Sequence, residues 1–542
     1  MSDTLLINGR IHTMDPGLPL ASALLIRDGL IAAVGGAEIA ALAPGVRQVD
    51  LGGRLVLPGF QDPHTHLLSG GTDLTTAAQL YDAETLHDLA RLIQDHTARR
   101  PDLPLIIGAG WQPGYFGDHN LTAAWVDPLT GHRPALIYDS SFHSACFNTA
   151  ALEMAGIGTD TPDPPNGHIL RDTAGRPTGM LHEDAIPWAL ERLPAFTDDQ
   201  LIEGLLAGQA HANRHGITGV IDAKITATEA RIYARAAREN LLTLRVAGAA
   251  HVSEADTPES AVARLSALRA AHPGPDFHIN AAKFFMDGVF ENRTAACLAP
   301  YADGPGGNAP CMFTRDQTLA LMTALDAARF QIHVHVIGDA ACTRALDGLE
   351  AALAANGPWP ASHQITHLQL VAAQDFPRLA RLAMANIQPL WARFDPKIPD
   401  IALEMIGPSR LPQTYAFRDM RDPGTPITLS SDWPVSTLNP FEIIETAITR
   451  QARQVEDPGP PFLPDQALSI GECVAGYTVQ AARACWREGY SGRLTPGFSA
   501  DLIVTDQDIF TCPPTQISAT RVLLTLFRGR MVWRDPGCDL AV

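Results

Sequence analysis

The alternation of apolar and polar positions divides the chain into two textures. At both ends short apolar runs alternate with turn residues: Leu5–Thr13, Ala23–Val34 and Gly53–Leu57 first, then Gly492–Thr505 and Arg521–Trp533. Asp28-Gly29, set between two apolar runs, predicts a two-residue hairpin. Neither end can bury a sheet face by itself. Residues 1–57 and 490–542 are therefore expected to pair as one small β-sandwich.

Between the ends, apolar runs of strand length alternate with amphipathic helical stretches, the pattern of a parallel α/β fold. The candidate strands are Leu55–Phe60, Gly219–Ala223, Thr243–His251, Ile279–Phe285, Gln331–Val336, Gln364–Leu368, Asn386–Leu390 and Pro426–Ser430. Eight is the number a (β/α)8 TIM barrel requires, and residues 58–489 are assigned to one. Thr197-x-x-Gln200, Thr314-x-x-Gln317 and Ser469-x-x-Glu472 predict capping boxes at three helix starts. After the first, Leu201, Leu205 and Ala212 form one apolar stripe that stops at Gly216.

One stretch breaks this rhythm. Roughly 150 residues separate the first two candidate strands, far more than a βα connection needs. Residues 72–200, approximately, read as an insertion at the barrel mouth, with a helix near Glu84–Arg100 and a hairpin around Ile169–Leu181. Insertions there usually shape a substrate pocket.

Charge and composition narrow the partners. A net charge of −19 repels nucleic acid and anionic membranes, so neither is expected as a partner. No apolar run is long enough to span a bilayer, and the first ten residues lack the layout of a signal peptide. The eight cysteines form no Cys-x-x-Cys pair and read as reduced thiols of a cytoplasmic protein. A small-molecule substrate is the expectation.

Chemistry concentrates where the apolar strands stop. His64 and His66 stand at i and i+2, so a strand would project both from one face, where two imidazoles can grip a divalent cation. Lys283 sits within the apolar run Ile279–Met286, where a charged amine is costly. It is either salt-bridged, with Asp287 the nearest carboxylate, or a neutral amine that adds CO₂ to become a bridging carbamate. His333 and His335 repeat the i, i+2 spacing. His335 is nearer the strand end and is favoured as a ligand, with His333 in a supporting role. His367 also ends an apolar strand. Asp432 follows Ile427–Ser431, where it either caps a turn or exchanges a proton with a metal-activated water.

In order, Leu57-Pro-Gly-Phe-Gln-Asp-Pro-His-Thr-His66, Lys283-Phe-Phe-Met-Asp-Gly288, His335-Val-Ile-Gly-Asp339, His367-Leu-Gln369, Ser431-Asp432 and Gly492-Arg-Leu-Thr-Pro-Gly-Phe-Ser-Ala-Asp501 resemble the amidohydrolase superfamily. Within it they are similar to the amidohydrolase-3, or YtcJ-like, group over nearly the whole length. The resemblance implies a barrel plus β-sandwich and one or two divalent metal ions, usually zinc. It assigns His64 and His66 to the first ion, Lys283 as a carboxylated bridge, and His335 and His367 to the second. Asp432 becomes metal ligand and general acid/base. Asp139-Ser-Ser-Phe-His143 resembles a segment whose histidine reaches the pocket, so His143 is a candidate oxyanion donor. Trp111 is a candidate for the pocket wall. Relatives are often dimers, so a homodimer is an expectation.

The reaction so implied is hydrolysis of an amide-type C–N bond by a metal-activated hydroxide, with an N-substituted formamide as the best single candidate. The alternatives are hydrolysis of a cyclic imide, ester or lactone at the same site, and a non-catalytic binding protein that kept the fold.

Overall fold

Pro58-Gly59 is where the chain crosses from one sheet to another. Leu55–Pro58 pairs with Arg10–His12 on one side and with Leu502–Thr505, from the far end of the chain, on the other. The expected strand Leu55–Phe60 is therefore corrected: all but its last residue lies in or beside the terminal sheet. The barrel begins at β1, Phe60–Thr65. Both sides of this junction are buried, so apolar content could not locate it. Pro58 has no N–H for a ladder, and a Cβ on Gly59 would meet Thr218 Oγ1 at 2.5 Å.

The computed structural model describes residues 3–42, 44–112, 120–304, 307–394, 401–453 and 458–540. In it β1 is followed by β2 (Ile217–Ile225), β3 (Arg245–His251), β4 (Phe277–Phe285) and β5 (Gln331–Val336). Then come β6 (Gln364–His367), β7 (Met384–Ile387) and β8 (Ile427–Leu429). Each pairs in parallel with the next, giving a nearly closed eight-stranded barrel. The seam is bridged just past β8: the Asp432 N–H donates to His64 O at 2.9 Å and the His66 N–H to Trp433 O at 2.8 Å. β7 ends before the expected Leu390, because Pro389 cannot donate to a ladder and opens a 3₁₀ turn, Pro389–Trp391.

Helix α1 (Leu67–Thr76) leaves β1, and α2 (Asp198–Arg214) leads into β2. They pack backbone to backbone, since a Cβ on Gly71 would sit 2.1 Å from Gly204 O. The capping boxes at Thr197, Thr314 and Ser469 form, as do two more at Thr226 and Thr257. Between α1 and α2 the insertion builds its own six-stranded mixed sheet, from Ala77–Gln79 at one edge to Gly167–Arg171 at the other. Its two faces carry separate hydrophobic clusters.

The chain ends supply two further sheets, one of four strands and one of six. Asp28 and Gly29 turn the expected hairpin with φ of 49° and 78°. Leu6, Ile26 and Val49 of the first sheet share one buried cluster with Val56, Leu502 and Leu524 of the second. Among the described residues no helix is long and apolar enough to cross a membrane.

Candidate metal centre

Parallel strands in a barrel all point their carboxyl ends at one mouth, so residues at those ends converge even when far apart in sequence. His64 lies in β1 and His66 just beyond it. Lys283 is in β4, His335 in β5, His367 ends β6, and Asp432 follows β8. All six line one cavity of about 530 Å³ at that mouth. His367 and Asp432 hold φ of 76° and 55°, a left-handed conformation that costs free energy and is kept where the surroundings fix it.

The Asp432 carboxylate is the hub. Its Oδ1 lies 3.3 Å from Nε2 of His64 and 3.3 Å from Nε2 of His66, and Oδ2 is 4.0 Å from His367 Nδ1. Donor atoms of His64, His66 and Asp432 all fall within 4.8 Å of one another. The His335 and His367 rings meet edge to face at 4.5 Å, and the His64 ring lies 5.0 Å from that of His367.

Neighbours orient each ring. His64 Nδ1 pairs with His333 Nε2 at 2.7 Å, leaving Nε2 turned to Asp432. His367 Nδ1 pairs with Gln388 Oε1 at 2.8 Å, and Gln388 is itself held by Ser430 and Asn386. His335 Nε2 faces the Gly288 carbonyl at 3.3 Å. Such supporting partners fix which nitrogen carries the proton and which is free to coordinate.

These residues suit a divalent cation. Burial pushes His64, His335 and His367 well below the ordinary imidazole value, so they present the neutral form that metals bind. Burial opposes the charge of Asp432, but the His66 hydrogen bond and the neighbouring His367 and Lys283 still hold it below the usual carboxylate value. Among the described residues Lys283 Nζ is buried with no hydrogen-bond partner, and burial drives its amine down to about 7. The salt bridge to Asp287 does not form. That carboxylate instead accepts the backbone N–H groups of Ala296, Ile337 and Gly338 at 2.8 to 3.0 Å.

The insertion delivers His143. Asp139 accepts hydrogen bonds from Ser141 Oγ and Ser144 N, and Phe142 takes a φ of 61°; the tight turn between Ala135–Asp139 and Ser144–Phe147 sets His143 over the barrel mouth. Its ring lies 5.5 Å from that of His335. His143 Nδ1 pairs with Glu183 Oε2 at 2.7 Å, while Thr294 Oγ1 donates to the other oxygen at 2.7 Å. Burial works against a charged His143, yet Glu183 outweighs it and raises the imidazole to about 9. Glu183 and Gln388 were not among the expected site residues. Gln388 stands at the end of a barrel strand, the same signal that marked the histidines, whereas Glu183 ends an insertion strand.

Trp111 is the expectation that fails. It is buried with Leu80, Ile137 and Met180 in the insertion's outer cluster and lies outside the described cavity wall. Ile107 of the same strand does line the cavity, and simple alternation would have put Trp111 beside it. A register shift between Ala109 and Trp111, with Gly110 at a φ of 98°, turns Trp111 to the opposite face.

A nearly closed α/β barrel with titratable donors gathered at one mouth is the class of architecture that fold and site define. The chain belongs to the amidohydrolase family, whose model it matches over residues 47–533. It is 28% identical to YtcJ of Bacillus subtilis, over 97% of this chain and 98% of that one. It is 27% identical to the N-substituted formamide deformylase of Arthrobacter pascens, over 99% of both. An uncharacterized metal-dependent hydrolase from Pyrococcus horikoshii shares the fold with a TM-score of 0.76 at 25% identity, covering 95% of this chain and 99% of its own.

Proposed function

We propose that the protein is a metal-dependent hydrolase that cleaves the C–N bond of a small-molecule amide, with an N-substituted formamide as the leading substrate. The observation that carries this reading is the convergence on one cavity of four imidazoles, Asp432 and Lys283, whose amine has no hydrogen-bond partner among the described residues. The full-length likeness to a formamide deformylase supports the choice of bond. His64 and His66 would hold one ion, and His335 and His367 a second. Lys283 would join them as a carbamate, formed when its neutral amine adds CO₂ and releases a proton to solvent. Zinc suits this set of nitrogen and carboxylate donors. Bound there, the cation supplies a water acidified toward neutral pH and a polarised carbonyl.

The chain's own groups do the rest. Asp432 takes the proton as water adds to the carbonyl carbon, then returns it to the amine nitrogen as the C–N bond breaks. His143, held by Glu183, donates a hydrogen bond to the carbonyl oxygen as negative charge gathers there. A formamide thus yields an amine and formate. In this reading the chain ends, residues 1–57 and 490–542, form a β-sandwich beside the barrel, supported by their shared cluster. The eight free thiols support a reducing, cytoplasmic setting.

The test is formate release from an N-alkylformamide by protein reconstituted with zinc and bicarbonate. Formate and amine in equal amounts are expected, with Asp432→Asn inactive. Turnover of a lactone or cyclic imide but of no amide would move the reading to that bond instead.

A further inference from the structure

A column of side-chain amides rises through the barrel interior from its floor to His367. Gln331 opens β5, Gln364 opens β6, Asn386 lies in β7, and Gln388 follows β7. All four are buried, at 1% exposure or less. Gln364 Nε2 donates to Gln331 Oε1 at 3.0 Å, Asn386 Nδ2 to Gln364 Oε1 at 2.8 Å, and Gln388 Nε2 to Asn386 Oδ1 at 3.3 Å. Ser430 joins at the top, donating to Asn386 Oδ1 and accepting from Gln388 Nε2 at 2.7 Å. Every amide in the column donates toward the floor.

Backbone carbonyls impose that direction. Gln331 Nε2 reaches the carbonyls of Ser362 and Ala484, each at 2.8 Å, and Asn386 Nδ2 reaches that of Pro63 at 3.1 Å. A carbonyl oxygen only accepts, so each of these amides must turn its NH₂ toward it. Asn386 has two N–H groups, and Pro63 O and Gln364 Oε1 take both. Its oxygen is thereby committed to the other side, where Gln388 must present N–H rather than carbonyl. Ser430 alone would accept either face of Gln388, since a hydroxyl both donates and accepts. Gln388 Oε1 is left facing His367 Nδ1 at 2.8 Å, and an oxygen there needs a donor.

We propose that Asn386 is a positioning residue that sets the tautomer of His367. By fixing the Gln388 amide it keeps the ring proton on Nδ1 and leaves the Nε2 lone pair free. In a ring that lines the cavity, Nε2 is then the nitrogen available to a cation. The use of Nε2 for a metal rests on the hydrolase reading. The tautomer itself does not.

Nitrogen-15 NMR of the metal-free, histidine-labelled chain reads the tautomer directly, with His367 assigned by its absence in His367→Gln. The native protein should show one form, protonated at Nδ1. Asn386→Leu should show both tautomers, because Ser430 alone lets Gln388 turn over. Where that variant does not fold, Asn386→Ala removes the same amide without filling its space. Gln364→Met breaks two hydrogen bonds of the column yet leaves Asn386 bonded to Pro63 O. It should lose stability and keep the single form. In a chelator competition for zinc, Asn386→Leu should bind about 10- to 100-fold more weakly than the native protein, with Gln364→Met close to native. A native ring protonated at Nε2 overturns the inference, as does a single Nδ1 form that persists without Asn386. Mixing in Gln364→Met equal to that in Asn386→Leu also overturns it, since loosening of the core would then suffice. The expected tautomers in a native protein that binds no zinc would uphold the inference and remove the metal reading. Zinc binding with a tautomer indifferent to Asn386 would do the reverse.

Discussion

The site works through side chains whose charge is set by what surrounds them. His143 is the clearest case, because its folded value of about 9 stands above the ordinary 6.5. A raised imidazole contributes stability that is complete below 6.5 and fades as pH climbs through about 9. Glu183→Gln removes the largest raising cause, ahead of Asp139 and Asp432, so urea unfolding of that variant should show a smaller loss of stability across that window. If imidazolium is the form that steadies the carbonyl oxygen, the alkaline limb of kcat should also move to lower pH in Glu183→Gln. An unchanged limb would take His143 out of the reaction. His333 acts one step further back, through His64 Nδ1. His333→Leu should weaken metal affinity by about 10- to 100-fold in a chelator competition while the fold survives.

Among elements, α1 has little room. It follows His66, and it touches α2 through glycines. Gly71→Ala would drive a methyl into the Gly204 carbonyl, which is backbone and cannot step aside. A loss of about 1–3 kcal/mol in urea unfolding is expected, with reduced activity as α1 shifts. The strands show what could and could not be read from sequence. The pairs His64/His66 and His333/His335 were legible because a strand sends i and i+2 to one face, and apolar runs marked where the strands lay. The start of the barrel was not legible, because Leu55–Phe60 is apolar on both sides of a junction that only sheet pairing defines. The face that Trp111 takes was not legible either, because one bulged residue reverses the alternation between Ala109 and Trp111.

At the scale of the molecule, the barrel and the insertion meet at the site while the paired chain ends lie away from it. The barrel supplies the donors, the insertion supplies His143 and Glu183, and the paired chain ends brace the opposite side. Glu183 escaped the sequence because its role beside His143 exists only once the insertion folds over the mouth, and no periodicity encodes that docking. The brace has its own test. Arg245 of β3 forms a buried ion pair with Asp501 beside the terminal strand Leu502–Thr505, at 4% and 3% exposure. Asp501→Ala would strand the guanidinium in the interior and should cost about 3–5 kcal/mol in urea unfolding. The central claim is that the converging side chains hold a metal through Lys283. Elemental mass spectrometry of the purified protein and its Lys283→Ala variant, each grown and dialysed with zinc and bicarbonate, tests this most directly. Bound zinc in the native protein and loss of metal in the variant is the predicted result. A native protein without metal after reconstitution, or a variant that keeps its full complement, would contradict the account.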